Sequence, residues 1–171
     1  MNGDRAKGPT ARPLYTQAQR RRRDASRWTL VQGVLAPIQF VVFLVSAALV
    51  VRFLATGEGE GAASVSVVVK TLTLYTIMIT GAVWEKDVFG RYLFADAFYW
   101  EDVFSMLVLA LHTAYLGALF TGALAPRPLA LLALGAYATY VVNASQFVLK
   151  LRAARLQAPT KSSALQWEPS R

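Results

Sequence analysis

Four apolar runs, each long enough to cross a bilayer as a helix, leave this chain few ways to fold. A hydrocarbon core about 30 Å thick takes roughly 20 helical residues to cross. Residues 28–55, 63–84, 101–122 and 129–149 meet that length. Lipid offers no partner to a free backbone N–H or C=O, so runs of this kind are read as helices, which bond those groups internally. The breaks between them are short. Gly57-Glu58-Gly59-Glu60-Gly61 follows the first run, and a charged, aromatic stretch over residues 85–100 follows the second. Ala125-Pro126-Arg127-Pro128 follows the third and predicts a tight turn. Pro37 predicts a kink in the first span. The expected architecture is therefore all-α: an integral membrane four-helix bundle over residues 25–155, with a partly helical interfacial segment between the second and third helices. Residues 1–24 are expected as a disordered basic N-tail and residues 156–171 as a disordered C-tail.

Charge supports the same picture. Only 16% of residues are charged, against about 25% in a soluble domain. The net charge of +8 is concentrated rather than scattered, with 15 of the 18 Lys and Arg in the two tails and the second loop, where Lys86 and Arg91 lie. That pattern is membrane topology, not a nucleic-acid surface. The basic side is expected to face the cytoplasm, which puts both termini there, N-in and C-in. The first apolar run is too long for the core of a signal peptide and lacks a small-residue cleavage site behind it, so no cleavable signal is expected. The absence of cysteine excludes disulfides, thiolate metal sites and thiol catalysis within the chain. His112 is the only histidine, and a di-iron bundle, which needs paired Glu-x-x-His motifs, does not fit.

The spans carry polar stripes at helical spacing. They are Gln32, Gln39 and Ser46 on the first, and Thr71, Tyr75, Met78, Ala82 and Glu85 on the second, with Lys70 beside them. The third carries Glu101, Ser105, Val108, His112 and Tyr115, and the fourth Thr139, Asn143, Gln146 and Lys150. A charge at mid-bilayer costs roughly 2.5–3.5 kcal/mol on insertion scales, so these stripes should face one another. Hydroxyls and amides such as Ser46, Gln39 and Thr76 read as glue between helices. Ionisable groups inside a membrane point instead to function. His112, near the middle of its span, suits a metal ligand, an acid or base, or a satisfied polar contact. Lys70 can snorkel outward. Glu85, Glu101 and Asp102 can converge at the inner mouth, where a carboxyl shielded from water can keep its proton and act as an acid. They can equally cap a helix or pair with Lys86 or Arg91. The aromatic cluster Phe89, Tyr92, Phe94, Phe98, Tyr99 and Trp100 beside Arg91 suits a flat apolar ligand with a polar end, or an ordinary interfacial belt.

Three stretches carry a resemblance: residues 21–40 (RRRDASRWTLVQGVLAPIQF), 73–94 (TLYTIMITGAVWEKDVFGRYLF) and 98–115 (FYWEDVFSMLVLALHTAY). They resemble the 3-vinyl (bacterio)chlorophyllide hydratases of bacteriochlorophyll biosynthesis, over about residues 14–156. The resemblance implies a hydro-lyase that adds water across the C3-vinyl group of chlorophyllide a or a bacteriochlorophyllide, giving the 3-(1-hydroxyethyl) product. It implies a Mg-chlorin or bacteriochlorin substrate, a multi-pass location in the bacterial inner (cytoplasmic or intracytoplasmic) membrane, and other bacteriochlorophyll-synthesis enzymes as partners. Vinyl hydration needs no redox group, so no cofactor is expected. The residues that would do the work are this chain's own reading: Glu85, Glu101, Asp102 and His112 for catalysis, with His112 also a possible ligand to the substrate magnesium. Arg91, Tyr75, Trp84, Trp100, Asn143 and Gln39 are expected to bind the pigment. Two rival readings use the same bundle: a non-catalytic pigment carrier or assembly factor, and a haem-binding electron-transfer subunit, which one histidine could serve only with a second ligand from elsewhere.

Overall fold

The computed structural model describes residues 14–156. The tails expected over residues 1–13 and 157–171 lie outside the described residues. Five helices follow one another: α1 (Gln17–Ala25), α2 (Arg27–Thr56), α3 (Glu60–Phe89), α4 (Tyr99–Thr121) and α5 (Pro126–Leu156). The last four are long and apolar enough to cross a membrane. They stand as two helical hairpins, α2 with α3 and α4 with α5, packed side by side.

Backbone chemistry explains the joints. Gly57 ends α2 with φ +76°, and Gly90 ends α3 with φ +87°. Both are left-handed positions where a Cβ would strain the chain. Pro126 and Pro128 do not form a separate turn as expected; they fall in the first turn of α5. The first helical N–H groups have no intrahelical acceptor, so proline loses nothing there. α2 runs unbroken through Pro37. α3 runs on to Phe89, so the irregular stretch between α3 and α4 is shorter than the sequence suggested, about residues 90–98.

The part of the expected disordered tail that is described is ordered. Residues Gln17–Ala25 form α1, closed by a capping box in which Thr16 Oγ1 accepts from the Gln19 N–H and the Gln19 side chain accepts from the Thr16 N–H. Tyr15 fixes this helix to the bundle. Its ring is buried, stacks on Phe89 at 5.8 Å and carries the Arg23 guanidinium at 5.0 Å on its face. Burial pushes the Tyr15 phenol up from its ordinary value, and Arg23 opposes that shift. Around it Phe98 touches Trp84, Phe89 and Phe147, forming an aromatic plug at this end of the bundle.

Sides and centre are inverted relative to a soluble protein. Leu30, Ile79, Phe120 and Val148 are exposed, whereas Gln39, Ser46, Lys70, Glu85, Asp102 and His112 are buried. Apolar surface outside and polar groups inside is the arrangement lipid demands.

Candidate active site

The loop between α3 and α4 folds back around two carboxylates. Glu85 sits one turn before the end of α3, and Asp102 sits in the first turn of α4; both are buried. The Phe94 N–H donates to Asp102 Oδ2 at 2.7 Å, and the Ala95 N–H donates to Glu85 Oε2 at 3.3 Å. Phe94 holds φ +59°, the one non-glycine residue in the left-handed region among the described residues. A bulky side chain there is strained, and such strain gathers where surrounding structure imposes it. Here the bond to Asp102 supplies the constraint. The two carboxyls lie near enough to influence each other. Burial and the neighbouring Asp102 raise the Glu85 carboxyl from its ordinary value, and a carboxyl that keeps its proton can donate one.

Glu101 is next to this pair but differs in its partner. Lys150, from the far end of α5, donates to Glu101 Oε2 at 2.6 Å and also lies 5.0 Å from the Phe98 ring centroid. The three carboxylates thus converge, as a pair plus an ion-paired neighbour. A cavity of about 620 Å³ lies between the start of α1 (Thr16, Gln19) and the loop (Arg91, Ala95), lined by Lys150, the partner of Glu101, and by none of the three carboxylates.

His112 lies deeper. It is 11 residues beyond Glu101, about 16 Å along α4 at ~1.5 Å per residue. Its side chain is fully buried against the Tyr137 ring. Nδ1 is 2.8 Å from the Val108 carbonyl, which can only accept, so Nδ1 carries the hydrogen. In the neutral ring Nε2 then holds the lone pair, and Nε2 has no partner. Ser46 bridges Tyr137 at 2.5 Å and Ser66 at 2.7 Å, tying α2, α3 and α5 together at this level.

The described part of this chain matches the family described as 2-vinyl bacteriochlorophyllide hydratase over residues 15–153. The chain belongs to that family. A 2-vinyl bacteriochlorophyllide hydratase from Rhodobacter capsulatus is 63% identical over 156 residues, covering 91% of this chain and 90% of the relative. One of the same description from Cereibacter sphaeroides is 66% identical over 146 residues, covering 85% of this chain and 90% of the relative. No solved structure matches the chain.

The remaining sequence-selected residues of this family member are more dispersed. Asn143 is buried and donates to Ser105 Oγ at 2.8 Å, one turn from Asp102, while its Oδ1 is unpartnered. Gln39 is buried with Oε1 unpartnered. Trp84 donates to Thr29 Oγ1 at 2.9 Å and joins the aromatic plug. Arg91 is exposed and pairs with Asp96 at 3.4 Å on the rim of the cavity. Tyr75 meets Thr113 on the outer face between α3 and α4. Trp100 is 68% exposed and packs only on Tyr99 among the described aromatic contacts.

Two features went unread in the sequence. Lys70 does not snorkel outward: it is fully buried, with Nζ 3.9 Å from the Tyr140 ring centroid. The rotation of α3 turns it inward, and sequence spacing alone does not fix that rotation. Tyr137 and Tyr140, inside an apolar run, carried no polar signal. Nitrogen NMR of the selectively labelled chain should find His112 as the Nδ1–H tautomer, with Nε2 unprotonated; an Nε2–H tautomer would contradict the assigned bond to Val108.

Proposed function

We propose that this chain adds water to the vinyl group of a bacteriochlorophyllide, or of the related chlorophyllide a, giving the 1-hydroxyethyl product. The vinyl carbon is C3 in current macrocycle numbering and position 2 in the older scheme the family name keeps. Family membership over residues 15–153 supports the reaction, and the buried pair Glu85–Asp102 is the observation that supports a place for it.

The chemistry needs an acid and a base. The protonated carboxyl of the pair gives its proton to the terminal vinyl carbon. The cation left on the inner carbon is spread over the conjugated macrocycle. Water adds there, and the ionised carboxyl of the pair takes a proton from it. The pair ends with one proton, as it began, and one water has been added. Because both groups are fixed by backbone N–H donors from the loop, neither needs to move far between the two transfers.

Glu101, neutralised by Lys150, is assigned to holding the ends of α4 and α5 together beside the pair. His112 Nε2 offers a lone pair to the substrate magnesium, placing the macrocycle between the carboxyl pair and the middle of the bundle. Gln39 and Asn143 would face the ring periphery, and Trp84 and the aromatic plug its flat faces. Arg91 stands at the cavity rim where a pigment would pass. Tyr75 and Trp100 lie away from this line and are the least suited of the expected contacts.

The chain is read as a multi-pass protein of the bacterial inner membrane, N-in and C-in, with the loop at about residues 90–98 at the cytoplasmic interface, where other pigment-synthesis enzymes would reach it. The crowding of Lys and Arg at that end supports this orientation. The chain has no cysteine, so single introduced ones report cleanly. In right-side-out vesicles an impermeant thiol reagent should label Glu58→Cys and spare Asp96→Cys; the reverse pattern would overturn the orientation.

The second reading, a pigment carrier without chemistry, shares the fold. Incubating membranes with the vinyl pigment and looking for a mass gain of one water separates the two. Glu85→Gln and Asp102→Asn should each lower hydration by about 10²–10⁴-fold, the range of a lost general acid or base. Trp100→Phe should retain most of it. Full turnover in both carboxyl variants would sink the assignment.

A further inference from the structure

Lys70 is the one ionisable side chain held mid-bundle that the proposed chemistry leaves without a task. Its side chain has no exposed surface, and Nζ has no hydrogen-bond partner. It lies over the Tyr140 ring and close enough to His112 to act on it electrostatically. Most other described basic groups near the bundle are answered. Arg52 meets Glu58, Arg91 meets Asp96 and Lys150 meets Glu101. Lys86 rests on the exposed Tyr92 ring. No acidic residue occurs on α2, on α5, between Glu60 and Glu85 on α3, or beyond Asp102 on α4. Lys70 therefore has no counter-ion within the helices between their two ends.

An aromatic face attracts an ammonium but accepts no hydrogen bond in the usual sense. Three N–H donors on a buried cation call for an anionic oxygen. Other unpartnered groups of the bundle narrow the ligand further. His112 Nε2 and Gln39 Oε1 are also buried and unpartnered, and come from α4 and α2. A site whose one charge is a lysine at the middle of an apolar bundle suits a carboxylate carried on a large apolar body, not a hydrated inorganic ion.

We propose that Lys70 binds the propionate carboxylate of the pigment substrate and so fixes which way round the macrocycle lies. This rests on the hydratase reading and deepens it. Lys70 and Glu85 are 15 residues apart on α3, roughly 22 Å along the axis at ~1.5 Å per residue. Nζ reaches Tyr140, one turn nearer the carboxyl end than Tyr137. A lysine side chain, a macrocycle with its propionate arm, and a glutamate side chain placed end to end span such a distance. Propionate on Lys70 and magnesium on His112 would leave the vinyl group directed at Glu85 and Asp102. The free acid, not its ester, is then the form recognised.

The test compares the free-acid pigment with its methyl ester on the full-length chain in detergent. Binding is followed by pigment absorbance, and turnover separately by the mass gain of one water. Wild type should bind the acid about tenfold or more tightly than the ester, the scale of one charge-assisted hydrogen bond. Lys70→Met should bring the acid down to the ester's affinity while leaving the ester unchanged, which also shows that the variant is folded. Lys70→Arg should restore the preference. Equal affinity of wild type for acid and ester overturns the role of Lys70, and so does a Lys70→Met chain that weakens both alike. Neither result touches the hydratase reading, which falls only if wild type gives no mass gain with either pigment.

Discussion

Putting an ionisable group into hydrocarbon costs more than a membrane helix gains from any single packing contact, and the fold is organised around avoiding that cost. The outer faces of α2–α5 are Leu, Ile, Val and Phe, and the polar residues turn inward. Some are satisfied by a neighbour across the bundle, as Ser46 is by Tyr137 and Gln32 by Thr80. Others are buried with an atom still free: Gln39, Lys70, His112 and Asn143. The first group holds the helices together. The second group is spread over all four helices on the bundle interior, and it is there that the proposed pigment would find partners.

The carboxyl end depends on the same constraint solved differently. Glu85 and Asp102 are not neutralised by a basic residue; they are held by two backbone N–H groups from a loop bent to deliver them, at the expense of a left-handed Phe94. Glu101, one residue away, receives Lys150 instead. Neighbouring carboxyls in one cluster thereby acquire different chemistry. One is ion-paired to Lys150, and two are held by backbone N–H groups, the pair to which the proposed hydration assigns its acid and base. The α1 helix and the Tyr15–Phe98 plug close this end, and Thr16, Gln19 and Phe89 line the cavity there.

Much of this was legible in the chain. The spans follow from run length, and Glu101, Ser105, Val108, His112 and Tyr115 all prove buried, because one face of a helix with two kinds of ionisable group has only one tolerable rotation. Lys70 is not legible because a long side chain near a helix face boundary can satisfy the same energetics by snorkelling out or turning in, and only packing against Tyr140 decides. In sequence α1 reads as tail because Arg20 to Arg23 dominate the stretch, although Thr16 and Gln19 stand at capping-box spacing. The loop's grip on Glu85 and Asp102 comes from backbone groups, which leave no trace in residue identity. Tyr75 and Trp100 carry the same signal in sequence whether an aromatic faces a ligand or lipid.

The central claim is that the vinyl group reacts between Glu85 and Asp102 while the rest of the macrocycle extends into the bundle. A structure of the Glu85→Gln chain with unreacted vinyl pigment tests it most directly. The account predicts the vinyl carbons within hydrogen-bonding reach of the residue 85 and 102 side chains and the magnesium on His112 Nε2. A pigment lying flat on the outer loop against Tyr99 and Trp100, with its vinyl group away from both residues, would contradict it.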